Sequence, residues 1–250
     1  MIHLKDSEVK FIKHKDEALL INLRQVINEF FPNDSSYYSS LSNEDYRLIV
    51  HEAQEAINEK DFTRIICLDL QKEILSYIKE ESFLIQSNLY LRAVRSVSTQ
   101  DTESINWHRE SFYGPNMEKS INIWTPIENI DKDNTLNFIP ESQQIPDDEI
   151  KIQQEDDLIT RKGSTGNKIG FLYAPKKIIG GVDLNSKAPM VVPYHSSSIF
   201  PGNLIHGAGR NNASKIRFSV DFRIMPLSAY DPSKSKQIHL ASGKSYFEPL

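Results

Sequence analysis

Apolar residues in the first third of the chain recur at three- and four-residue spacing. Between Asp16 and Phe31 they fall at Leu19, Leu20, Leu23, Val26, Ile27 and Phe30, the stripe of an amphipathic helix. Pro32 follows as a stop signal. Ser42 or Asn43 can cap a second helix carrying Leu48, Ile49, Ala53, Ala56 and Ile57. A third runs from about Phe62 to Lys79 through Ile65, Ile66, Leu68, Ile74, Leu75 and Ile78. Beyond it the pattern changes. Phe83 to Ser98 is rich in β-formers and partly alternates. The segments SINIWTPI, TLNFI, IGFLYA, KIIGGV, MVVPY, SSIF and KIRFSVDFRI follow as strand candidates.

The turn-forming residues divide the chain in the same way. All ten glycines lie at Gly114 or later, and of the twelve prolines only Pro32 precedes Pro115. Helix interiors exclude both types and turns between strands demand them. The expectation is one domain over 1–250: a helical part over 1–82, a β core over 83–226 and a polar tail over 227–250 wrapping the surface. Short strands with regular turns suggest a sandwich or barrel, with the helices packed on one sheet face. The polar stretch from Pro140 to Lys168 reads as an excursion from that core, a lid or a surface loop. No linker separates two domains, and no repeat is present.

Composition narrows the partners. With 29 basic and 34 acidic residues the net charge is −5, which lacks the basic excess of a nucleic-acid binder. No apolar run is long enough to span a membrane, and the charged N-terminal segment is unlike a secretory signal. The single cysteine, Cys67, rules out an internal disulfide and a four-cysteine zinc site. These features point to a soluble, cytoplasmic protein. They say nothing about oligomeric state.

Seven histidines are few enough to weigh singly. His3, His14 and His239 sit in polar contexts that read as exposed. His51 opens HEAQE, which lacks the second histidine of a zinc-protease helix. His195 has no acidic neighbour at useful spacing. In INWHRESFYG, His108 and Glu110 are two residues apart, and in extended backbone such a pair faces one side while Arg109 points away. An exposed ion-pairing residue beside a histidine is the plainer reading of that dipeptide alone.

The second piece is IFPGNLIHGAGRNNASKIRFSVDFRI. His206 begins a Gly/Asn-rich turn, and the strand that follows alternates Arg217, Ser219, Asp221 and Arg223 against Phe218, Val220 and Phe222. Arg217 lies eleven residues after His206, so a hairpin could return it to the histidine. A buried arginine needs an anion, and its planar fork suits a carboxylate. Pairing among Arg217, Asp221 and Arg223 is the competing account. Two histidines and one carboxylate make a facial triad with open metal positions. A 2-oxo acid can take two of these, oxygen the third, and the arginine can hold the far carboxylate of 2-oxoglutarate.

With these motifs in hand, the chain resembles the Fe(II)/2-oxoglutarate-dependent dioxygenases, in particular the phytanoyl-CoA dioxygenase-like group that includes ectoine hydroxylases. The resemblance covers about Asn88 to Met225 and rests on WHRES, on SINIWTPIEN followed by NTLNFIPES, and on FPGNLIHGAGRNNASKIRFS. It implies a double-stranded β-helix, or jelly roll, braced by the N-terminal helices. It implies Fe(II) held by His108, Glu110 and His206, with 2-oxoglutarate and O2 as cosubstrates. Arg217 corresponds to the residue binding the 5-carboxylate of 2-oxoglutarate, with Ser219 nearby and Trp124 beside the cosubstrate. The implied reaction oxidises a C–H bond, most simply by hydroxylation, and releases succinate and CO2. Glu110 stands where Asp is commoner. Because halogenases of the superfamily have a small residue there, Glu110 argues for hydroxylation or a related oxidation.

Glu141-Ser142-Gln143 departs from the group's usual G-S-H ending, so the ectoine and acyl-CoA substrates do not carry over. The RFSVDFR run is similar to oxygenases of antibiotic-sugar and surface-polysaccharide pathways, which points to a sugar or nucleotide-sugar; an amino acid is the other expectation. Gln86, Asn88, Tyr90 and Arg92 should share one strand face, and Arg109, Phe112 and Tyr113 flank the iron motif. Arg92, Tyr113, Arg210 and Arg223 are candidate substrate contacts, the arginines for an anionic group. Two other readings use the same residues: a metal-dependent hydrolase, for which Arg217 has no purpose, and a non-catalytic jelly-roll binding protein.

Overall fold

A computed structural model of the chain describes residues 9–96, 106–114, 117–154, 176–234 and 245–250. It opens with β1 (Lys10–Lys13), then α1 (Glu17–Phe30), α2 (Ser35–Ser40), α3 (Asn43–Glu59) and α4 (Phe62–Ile78). The caps explain the boundaries: Asp16, Asp34 and Ser42 side chains each accept from backbone N–H groups of the turn they start. The three helices expected from periodicity are present, and α2 is an addition too short to show a period. Their buried faces are narrower than the apolar pattern suggested. Leu48, Ile65 and Leu68 are exposed, while Ile57, Ile66, Leu70 and Ile74 are fully buried.

The strands that follow are β2 (Phe83–Gln86), β3 (Tyr90–Val94), β4 (Ile121–Glu128), β5 (Leu136–Phe138), β6 (Lys151–Gln154), β7 (Lys176–Gly180), β8 (Ala188–Pro189), β9 (Ser196–Pro201), β10 (His206–Ala208), β11 (Arg217–Pro226) and β12 (Phe247–Pro249). Seven form one sheet, ordered β1-β9-β4-β11-β2-β12, with β3 also on β11. A smaller sheet runs β10-β5-β8, and β6 pairs with β7. All pairings are antiparallel. The architecture is mainly β, a jelly roll with N-terminal helices. Among the described residues no helix is long and apolar enough to cross a membrane.

Alternation gives the large sheet two faces. Ile121, Ile123, Ile199, Phe218, Val220, Phe222 and Ile224 pack with the helices in one core. The opposite face carries Trp124, Phe200, Arg217, Ser219, Asp221 and Arg223 towards the smaller sheet; Trp124 and Phe200 cluster with Leu136, Met190 and Leu204.

Several local expectations are corrected. The Phe83–Ser98 stretch, described as far as residue 96, is two strands rather than one, because the chain breaks step at Ser87–Leu89. The break is tolerated because α3 satisfies it: Asn58 Oδ1 accepts from Leu89 N at 2.8 Å and Gln54 Oε1 from Leu91 N at 3.2 Å. MVVPY is not a strand: β8 ends at Pro189, and only Met190 N continues, donating to Leu136 O at 2.7 Å. His206 lies within β10 rather than at the start of a turn. IGFLYA lies outside the described residues. The 140–154 stretch is no simple surface loop, since Ser142 and Ile150 are buried. Its continuation, 155–168, lies outside the described residues. The end of the tail is not mere wrapping either: β12 adds to the edge of β2 and buries Phe247.

Candidate metal centre

Two strand ends build the site. His108 and His206 face each other in an isolated antiparallel bridge. Two residues on, Glu110 N donates to Gly202 O at 2.7 Å. Arg109 between them is extended, φ −135°, ψ 161°, so His108 and Glu110 emerge on one side as expected, and Glu110 starts a short 3-10 turn to Tyr113. His108, Glu110 and His206 are all buried, and one ligand atom from each lies within 4.8 Å of the others.

Local hydrogen bonds orient both imidazoles. His108 Nδ1 lies 2.7 Å from Asn106 O and His206 Nδ1 2.9 Å from Leu204 O. A carbonyl only accepts, so Nδ1 carries the proton and Nε2 offers a lone pair. His108 Nε2 is buried with no hydrogen-bond partner. His206 Nε2 is 3.7 Å from Glu110 Oε1. Burial holds His108 well below the ordinary histidine value, with His206 adding to the effect. Burial also lowers His206, against the opposing pull of Glu110. Two neutral imidazoles and one carboxylate around an orphaned buried nitrogen are a donor set that fits Fe(II).

The arginines separate into two groups. Arg92 is paired with Asp221 through two hydrogen bonds, one of 2.9 Å from Nη2. Arg223 donates to Glu110 from Nε at 2.8 Å and from Nη2 at 3.1 Å. Both cations are therefore compensated within the chain, contrary to the expectation that they await an anionic substrate. Arg217 is different. It is 2% exposed, its Nη1 donates to Asn134 O at 2.6 Å, and its Nε has no partner. No carboxylate of the described residues pairs with it. Burial, then Arg92, lowers its pKa to about 10. The Ser219 hydroxyl, one alternation along the same face, is also buried and unpartnered. Trp124 sits across the sheet from Asp221 in register.

The route that brings Arg217 here is not the expected hairpin. His206 is on the small sheet and Arg217 on the large one, from which Arg217 reaches across to Asn134 O, just before β5 of the small sheet. Arg109 does point away, as expected. It is buried and donates to Ser142 O, Ile145 O and Asp147 Oδ1 at 2.6–2.8 Å. Tyr113 sets its ring edge-on to His108, centroids 5.6 Å apart, and Phe112 is in a small core with Ile139, Ile150, Ile178 and Ile205. Gln86 shares its side of the sheet with Arg223, whose backbone N donates to Gln86 Oε1 at 3.0 Å. Asn88 falls in the break between β2 and β3, and Arg210 is exposed.

Sequence reasoning missed three contributors. Arg223 reads as a substrate contact until Glu110 is seen beside it. Gly202 is invisible as an anchor, since it acts through its carbonyl. Tyr246, twenty-one residues past Met225, where the last motif region used ends, comes to the Arg223 neighbourhood only because β12 pairs with β2.

Comparison with known proteins agrees with this geometry. The phytanoyl-CoA dioxygenase (PhyH) family profile matches residues 32–219. No curated protein matches the chain. Among solved structures, EvdO2 from Micromonospora carbonacea var. aurantiaca, complexed with 2-oxoglutarate, is 14% identical with a TM-score of 0.55, over 90% of this chain and 91% of that one. AviO1 from Streptomyces viridochromogenes Tue57 is also 14% identical with a TM-score of 0.52, over 92% of both. At such identity these two speak for the fold.

Proposed function

The chain belongs to the phytanoyl-CoA dioxygenase family, and from that premise we propose that it is an oxygenase hydroxylating a C–H bond of a small polar metabolite. The family's enzymes depend on Fe(II) and 2-oxoglutarate. Bound iron, with 2-oxoglutarate and O2, supplies the oxidant, and succinate and CO2 are the co-products. The observation that carries the reading is the convergence of His108, His206 and Glu110. The two imidazoles hold the metal through Nε2 and Glu110 through a carboxylate oxygen. Arg217, a buried cation with one partner, receives the far carboxylate of 2-oxoglutarate, and the Ser219 hydroxyl supplies a second donor. Trp124 walls the cosubstrate side. A hydrolase would leave Arg217 without a purpose.

Tyr113, next to His108, faces the substrate. A sugar, the sugar end of a nucleotide-sugar, or an amino acid suits a wall of tyrosines and internally paired charges better than a strongly anionic group does. The whole chain acts as one oxygenase domain in the cytoplasm, with no nucleic-acid or membrane partner.

The test is anaerobic visible absorption on adding Fe(II) and then 2-oxoglutarate. A weak charge-transfer band in the wild type and none in His108→Ala is the expected result. Iron binding without the band would turn the assignment towards hydrolysis, and no iron binding would turn it towards a binding protein.

A further inference from the structure

The metal-ligand carboxylate of this chain is a glutamate, and it is held from behind. Glu110 has one more rotatable bond than aspartate, so its oxygens can reach more positions about the two histidines. The guanidinium of Arg223 removes that freedom, taking one lone pair from each oxygen through Nε at 2.8 Å and Nη2 at 3.1 Å. A carboxylate has about four lone-pair sites, so each oxygen keeps one. Oε1 is the atom recorded 3.7 Å from His206 Nε2.

Arg223 is itself immobilised. Its backbone N is bound by Gln86 Oε1 at 3.0 Å, its Nη1 lies 3.5 Å from Asp221 Oδ2, and the rings of Tyr90 and Tyr113 flank its guanidinium at 5.7 and 5.9 Å. Asp221 is in turn gripped by Arg92. The result is a chain of charges, Arg92–Asp221–Arg223–Glu110, partly buried at its Arg92–Asp221 end and buried where it reaches the metal centre.

We propose that Arg223 is a positioning residue that aims Glu110 at the metal site and fixes the plane of its carboxylate. Planarity matters as well as charge: a two-point fork fixes the plane of the carboxylate, and an ammonium cannot. Groups that orient a metal ligand from behind are worth about 10- to 100-fold in metal affinity. The assignment rests on the metal-centre reading above, and its test separates the two.

Anaerobic Co(II) titration of the full chain, read by the visible d–d bands, gives both an affinity and a coordination signature. Arg223→Met should weaken Co(II) binding about 10- to 100-fold with Glu110 present and should change nothing in a Glu110→Ala background. Arg223→Lys, which keeps the charge and the fold, should still bind weakly and show altered bands. Full affinity and unchanged bands in Arg223→Lys would overturn the assignment, as would equal losses from Arg223→Met in both backgrounds. A wild type that binds Co(II) no better than His108→Ala would overturn the metal centre, and this role of Arg223 with it.

Discussion

His108 and His206 exchange both backbone hydrogen bonds, N to O at 2.9 Å in each direction, although 98 residues separate them. The bridge sets the imidazole centroids 4.3 Å apart, so the spacing of the two candidate ligands is fixed by main chain rather than by rotamer choice. A site built this way is preorganised before any metal arrives.

Removing a ligand therefore should not be repaired by side-chain adjustment. His108→Ala, Glu110→Ala and His206→Ala should each abolish succinate formation while the fold persists, as checked by succinate assay alongside far-UV circular dichroism. Normal turnover in any of the three would remove that residue from the ligand set.

Arg217 should trade stability for binding. A buried cation with one hydrogen bond contributes little or costs stability, so Arg217→Met should melt within about 1 kcal/mol of the wild type without ligand, or above it. The further thermal upshift that 2-oxoglutarate adds to that of Co(II) should appear in the wild type and shrink in the variant, whose metal ligands are intact. The apparent affinity for 2-oxoglutarate should fall by about ten- to a hundredfold, the worth of hydrogen bonds to a charged group. Equal upshifts in both proteins would refute the role.

Gly202 should be intolerant of even a methyl group. A Cβ there would meet the Ser120 carbonyl oxygen and Oγ at 2.7 Å and the Met117 carbonyl at 2.9 Å. Its own carbonyl anchors Glu110 N. Gly202→Ala should cost about 1–3 kcal/mol by overpacking, measured by urea unfolding, and should weaken Co(II) binding as Glu110 shifts. Unaltered stability would mean that the 117–120 turn yields freely.

His14 carries a pH dependence far from the metal centre. The expectation of an exposed residue was wrong: it is buried, with Nδ1 2.8 Å from Asp69 Oδ2 and Nε2 2.8 Å from Ser197 Oγ, which also meets Thr125 Oγ1 at 2.6 Å. This network ties β1, α4, β9 and β4 together. Burial lowers the His14 pKa below 6.5, with Asp69 opposing. Below that ordinary value the unfolded chain takes up a proton that the folded chain resists, so stability is lost as pH falls below about 6.5. The metal-free protein should melt lower at about pH 5.5 than at about pH 7.5, and His14→Gln should flatten that slope. An unchanged slope would assign the effect to His108 and His206, whose pKa values are also lowered.

Arg109 should control the segment beside the site. Its three hydrogen bonds to residues 142–147 are made from a fully buried guanidinium. Arg109→Ala should speed hydrogen exchange across 142–150 and leave α1–α4 protected. Uniform acceleration over the whole chain would instead make Arg109 a global stabiliser.

By itself the sequence determined the helical start and most strands, because apolar spacing and the placement of glycine and proline are local signals that burial then enforces. It also determined the candidate ligands, since a histidine–glutamate pair, a distant histidine and an alternating arginine strand are legible as residue types. Tertiary structure alone decided which charges are spent. Arg92, Arg217 and Arg223 lie on neighbouring inward positions and look alike in sequence. Only pairing across strands gives Asp221 to one, Glu110 to another and a lone carbonyl to the third. It likewise turned His14 inward, split Phe83–Val94 at a break that α3 repairs, and set Arg217 across a sandwich rather than along a hairpin. Contacts between residues distant in sequence decide each of these, and no local pattern encodes a partner eighty or a hundred positions away.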